Sequence, residues 1–151
     1  MQGLSLIIGV FLALDTLFLG LKALTYNGFR FFQETLTTSC LNQMGMPGMS
    51  IYAASKAAVR SLARTLSAEL SDSQIRVNAI SPGPIETPIY SKLEMSPEAL
   101  QQMAGQLQEQ VPMHRFGQPD EIAKAALFLA SDDASFVLGE EIVVDGGWAE
   151  L

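Results

Sequence analysis

Tyr52 and Lys56 stand four residues apart in Tyr52-Ala-Ala-Ser-Lys56, a spacing that puts both side chains on one face of a helix, one turn apart. A free phenol has a pKa near 10, and a fixed positive charge about 4 to 6 Å away favours its ionised form. A tyrosine placed so exchanges a proton near neutral pH. Ser39 lies thirteen residues upstream of Tyr52 and closes the β-prone run Thr35 to Ser39. A strand ending there aims a hydroxyl at the same point. Taken alone, a Tyr and a Lys at this spacing are more often mere surface neighbours.

From about Leu36 to Trp148 the chain resembles the C-terminal half of a short-chain dehydrogenase/reductase. Ser39, Tyr52-Ala-Ala-Ser-Lys56, Asn78-Ala-Ile-Ser-Pro-Gly83, Thr87 and Val144-Asp-Gly-Gly147 carry the resemblance, in that order along the chain. It implies an α/β fold, an incomplete Rossmann-like doubly wound parallel sheet, and hydride transfer between a nicotinamide and a carbonyl or alcohol carbon. In that family pattern Tyr52 is the general acid/base, Lys56 stabilises the phenolate and contacts the nicotinamide ribose, and Ser39 hydrogen-bonds the substrate oxygen. Tyr52, Lys56, Pro82, Gly83, the Ile85 backbone and the Thr87 hydroxyl would face NAD or NADP. Tyr90, Met95 and Met103 fall where the family keeps its substrate loop and are the implied contacts to a small carbonyl or alcohol substrate. The resemblance also implies a homodimer or tetramer packed through the Tyr52 helix.

The elements that must hold these residues are legible from pattern. Val59, Leu62, Ala63, Leu66 and Leu70 recur at three- and four-residue steps, which predicts a helix from about Ser50 to Leu70 with one apolar stripe; Arg60, Arg64 and Glu69 fall off it. Ile75 to Ile80 reads as a parallel strand, stopped by Ser81-Pro-Gly-Pro84. Gly83 in that turn would let backbone approach a flat ring closely, and ligands of open α/β sheets bind beyond such strand ends. Ser96-Pro97-Glu98 opens a helix with a thin stripe, Leu100, Met103 and Leu107, suited to a lid. Pro119-Asp-Glu121 opens another, running to about Ala130, and Glu140 to Val144 reads as the last strand.

A dinucleotide fold also needs a glycine-rich turn and a helix N-terminus for the pyrophosphate. Gly3, Gly9 and Gly20 lack that spacing, so the expectation is an apolar segment 1–34 followed by a family half-domain 35–151, a truncated or alternatively spliced product. Leu4 to Leu24 is about long enough to span a bilayer, yet no Lys or Arg precedes it to orient insertion; the competing reading is a buried helix over Thr16 to Leu24. The family's water-holding Asn would fall near Leu12, and leucine cannot do that work.

Nine basic against sixteen acidic residues give a formal charge of -7, which opposes nucleic acid and anionic lipid. One cysteine, Cys40, rules out an internal disulfide and fits a reducing, cytoplasmic setting. His114, the single histidine, has no ligand partners at metal spacing. Three function classes follow: the oxidoreductase, a non-catalytic relic that binds no cofactor, and a membrane-tethered fragment.

Overall fold

The computed structural model describes residues 33–89 and 95–151, and before them the backbone of two short strands. Those strands, β1 (Leu24–Tyr26) and β2 (Phe29–Phe31), pair antiparallel as a small sheet of their own. The remaining strands, β3 (Gln33–Thr37), β4 (Arg76–Pro82) and β5 (Glu141–Val144), form a parallel sheet in the order β3-β4-β5. Three helices accompany it: α1 (Ser50–Leu70), α2 (Pro97–Gln110) and α3 (Pro119–Ala130). Parallel neighbours require a crossover, and α1 supplies it between β3 and β4.

The core lies where α1 meets the sheet. Leu36 of β3, Val59 and Ala63 of α1, and Val77 and Ala79 of β4 are buried together, with Leu62, Leu66, Leu70 and Ile75 packed around them. Each fully buried aliphatic side chain contributes about 1.5 to 3 kcal/mol, which holds α1 in place although no side chain caps its start at Met49. The other two helices begin as their sequences require. The Ser96 hydroxyl accepts the Ala99 N–H at 3.2 Å, and the Glu121 carboxylate accepts the Gln118 N–H at 2.7 Å in a capping box ahead of Pro119.

Strand boundaries differ from the sequence expectation, and β4 and β5 each open one residue later, at Arg76 and Glu141. β3 opens at Gln33, ahead of the boundary at residue 35, and ends at Thr37 rather than Ser39. Ser39 instead caps a 3-10 turn, Cys40–Asn42. β4 continues past Ile80 to Pro82 because β5 pairs with it there: Pro82 lies opposite Val144, and the Gly83 N–H reaches the Val144 carbonyl at 3.0 Å. Among the described residues no helix is long and apolar enough to cross a membrane. The segment from Leu4, including Leu12, lies outside the described residues up to Leu24, which opens β1.

Candidate active site

Ser39, the start of α1 and the Pro82-Gly83 turn all sit at the carboxyl end of the parallel sheet. Lys56 fixes the first two relative to each other: its ammonium donates to the Thr37 carbonyl, the last residue of β3, at 3.1 Å. The same Nζ lies 5.7 Å from the centroid of the Tyr52 ring, within cation–π range. Lys56 is 8% exposed whereas Tyr52 is 45% exposed, so the cation is sheltered and the phenol is open to a ligand. Burial lowers the Lys56 pKa, and among the described residues no carboxylate pairs with it. Ser39 is buried, and its Oγ accepts the Leu41 N–H at 3.3 Å.

In the Pro-Gly turn the missing side chain of Gly83 has a structural use. A Cβ on Gly83 would stand 2.5 Å from the Asp145 Cβ and 2.6 Å from its Cα. The missing side chain therefore makes room for the turn after β5, where the Asp145 carboxylate accepts the Gly147 and Ala149 N–H groups at 2.8 and 2.7 Å. Gly83→Ala is expected to destabilise the fold by about 1 to 3 kcal/mol, the usual range for overpacking. Urea unfolding checks this, and a midpoint equal to the parent's would refute it.

Beyond Gly83, Ile85 forms a single parallel bridge with Gly117: the Glu86 N–H meets the Gly117 carbonyl, and the Gly117 N–H meets the Pro84 carbonyl, both at 2.9 Å. In such a bridge the N–H and C=O of Ile85 itself turn away from Gly117, and neither has a partner among the described residues. They form a donor and an acceptor on one residue, both directed away from the bridge. Thr87 follows, exposed. A cavity of about 100 Å3 opens beside them, lined among others by Ile85, Met113, Arg115 and Asp145. Ser39, Tyr52 and Lys56 do not line it, and the groups able to move a proton, rather than the concavity, define the site. Arg115 and Glu121 wall the cavity with a two-pronged ion pair at 2.8 and 2.7 Å, which holds the Glu121 carboxyl at about 2.

Of the residues read as substrate contacts, Tyr90 lies outside the described residues. Met95 is exposed, and Met103 is half-buried on α2, a helix without one buried residue. Cys40 is buried, and its thiol is pushed up to about 11, first by burial and then by the Asp145 charge, so it is no nucleophile. His114 sits in a loop at φ 51°, and the described residues hold no group of three or more possible metal ligands.

One cluster escaped the sequence reading. Glu141 at the start of β5 is buried and gathers Thr38, Asn42, Gln43 and Arg60. The available signal was an acidic residue inside an otherwise apolar strand, with an arginine on α1 that had been read simply as lying off the apolar stripe.

Residues 33–149 match the family model described as enoyl-(acyl carrier protein) reductase. A 3-oxoacyl-(acyl-carrier-protein) reductase of Thermotoga maritima is 46% identical over 110 residues, 73% of this chain and 42% of that protein. A cyclopentanol dehydrogenase of Comamonas sp. is 40% identical over 111 residues, 74% of this chain and 43% of that one. Among solved structures, the aldohexose dehydrogenase of Thermoplasma acidophilum superposes with a TM-score of 0.70 at 30% identity, over 78% of this chain and 48% of that one. The chain thus spans less than half the length of each of these relatives. The parallel β3-β4-β5 sheet with its crossover helix is part of a Rossmann-like fold, and the chain belongs to the short-chain dehydrogenase/reductase family.

Proposed function

We propose that this chain carries the proton-transfer side of an NAD(P)-dependent oxidoreductase acting on a small carbonyl or alcohol. One observation carries the reading: the Lys56 ammonium is buried, tied to the end of β3 and set over the ring of an exposed tyrosine. Tyr52 gives its proton to a carbonyl oxygen as that carbon is reduced, or takes one from an alcohol as it is oxidised. Lys56 holds a positive charge where the phenolate charge develops. Ser39 donates to the substrate oxygen. The N–H and C=O of Ile85, without partners among the described residues, match a carboxamide, which needs one acceptor and one donor, so Ile85 with Thr87 would hold the nicotinamide. When bound, that cofactor supplies or accepts the hydride. The relatives' names range over an acyl-carrier-protein reductase, a cyclopentanol dehydrogenase and an aldohexose dehydrogenase, which supports a carbonyl or alcohol class and no narrower one. A homodimer or tetramer packed through α1 belongs to the same reading.

A second reading, a non-catalytic relative that binds no cofactor, draws on the sheet order: among the described residues β3 has a strand neighbour on one side only.

The test uses a chimaera in which residues 33–151 follow the N-terminal half of the Thermotoga maritima reductase, assayed with NADH and NADPH against small ketones and 3-oxoacyl thioesters. Lys56→Met keeps most of the buried stem and removes the charge. It is expected to lower kcat by about 100-fold or more and to raise the cofactor KM as well, because one ammonium serves both the phenol and the ribose. An effect on neither quantity would remove Lys56 from the site.

A further inference from the structure

Glu141 has a side chain only 3% exposed, and its two carboxylate oxygens meet hydrogen-bond donors from the turn after β3 and the charge of Arg60 from α1. Oε1 accepts from the Thr38 hydroxyl and from Asn42 Nδ2 at 2.7 Å. Oε2 accepts from Gln43 Nε2 at 2.8 Å and lies 2.9 Å from Arg60 Nε. Thr38 directly precedes Ser39, while Asn42 and Gln43 close the turn that Ser39 caps. Arg60 stands on α1 one turn beyond Lys56. A single buried anion therefore grips both flanks of Ser39 and the helix that carries Tyr52 and Lys56.

We propose that Glu141 is a positioning residue that sets the Ser39 hydroxyl in register with α1; the catalytic meaning of this rests on the reading of Ser39, Tyr52 and Lys56 given above. The chemistry of the site demands a carboxylate. Thr38, Asn42 and Gln43 present donors, Arg60 presents a charge at 2.9 Å whose Nε–H is not aligned as a hydrogen bond, and an ionised carboxyl is purely an acceptor. An amide of the same shape turns its NH2 toward one pair of those donors and leaves that pair unsatisfied in a buried place. The Thr38 hydroxyl has one proton and a second acceptor, the Ile80 carbonyl at 3.0 Å, so it can desert position 141 once the charge is gone. Arg60 supplies the countercharge that a buried carboxylate needs.

Native-state amide exchange on the full 151-residue chain, read by NMR, tests the clamp without any assay of turnover, so its failure is separate from a failure of the catalytic reading. The Leu41 N–H is the direct reporter, since it is held by Ser39 Oγ. In Glu141→Gln, protection at Leu41, Asn42 and Gln43 is expected to fall about tenfold or more, while Ala63, Val77 and Ala79 in the core stay within about threefold of the parent. A clamp that serves only general stability lowers all six together, and that result would overturn the proposal; so would unchanged protection at the turn. If Glu141→Gln does not fold, Asn42→Ala removes one arm from the half-exposed turn, and the same local loss at Leu41 and Gln43 is expected. Undiminished protection there would refute the clamp equally.

Discussion

Replacing Tyr52 by Phe is expected to cut kcat of the chimaera by about 100- to 10,000-fold, the range spanned by removal of a positioned acid/base. The ring stays and the exchangeable proton goes. Because Tyr52 is 45% exposed, no buried partner is orphaned by the change, and the fold should keep its stability to within about 0.5 kcal/mol. The cofactor KM should move by no more than about threefold, since the lost interaction belongs to the transition state. Steady-state kinetics with the parent alongside reads both quantities. Activity within about threefold of the parent would take the proton-transfer role away from Tyr52.

Much of the fold was legible because its signals are local. The three- and four-residue steps from Val59 to Leu70 predicted α1, and Ser96-Pro97 and Pro119-Asp-Glu121 marked helix starts at the positions where α2 and α3 begin. Strand ends were less legible because pairing sets them. Nothing local to Ser81 and Pro82 announces that β5 will extend the ladder past Ile80. Nor does the β-prone run before Ser39 reveal that β3 stops at Thr37.

At the site, the Tyr52–Lys56 spacing on a helix was enough to place the ammonium near the ring, since helix geometry alone decides it. Gly83 shows the limit of such reasoning. A glycine in a Pro-Gly turn suggested close approach of a ligand, and the structure adds a use that the sequence did not announce: its missing side chain makes room for Asp145, sixty-two positions further along. The Glu141 cluster was invisible for the same reason: its partners come from the turn after β3 and from α1, and only the assembled sheet brings them to one carboxylate. The outward direction of the Ile85 N–H and C=O likewise depends on a bridge to Gly117 that no sequence motif encodes.

The central claim is that the chain holds the nicotinamide end of a dinucleotide site, and its own affinity for cofactor tests this most directly. A dinucleotide draws most of its grip from a glycine-rich turn, a helix N-terminus at the pyrophosphate and a residue at the adenine ribose; Gly3, Gly9 and Gly20 do not have that spacing. Each tenfold loss of affinity is about 1.4 kcal/mol, and losing several takes a micromolar ligand into the millimolar range. The measurement is an NMR titration of the 151-residue chain with NAD, NADP and nicotinamide mononucleotide. All three are expected to bind with similar dissociation constants above about 1 mM, and to shift the amides of Lys56, Ile85 and Thr87. A dissociation constant below about 100 μM for either dinucleotide, worth more than about 5 kcal/mol, or shifts at none of those three residues, would contradict the account.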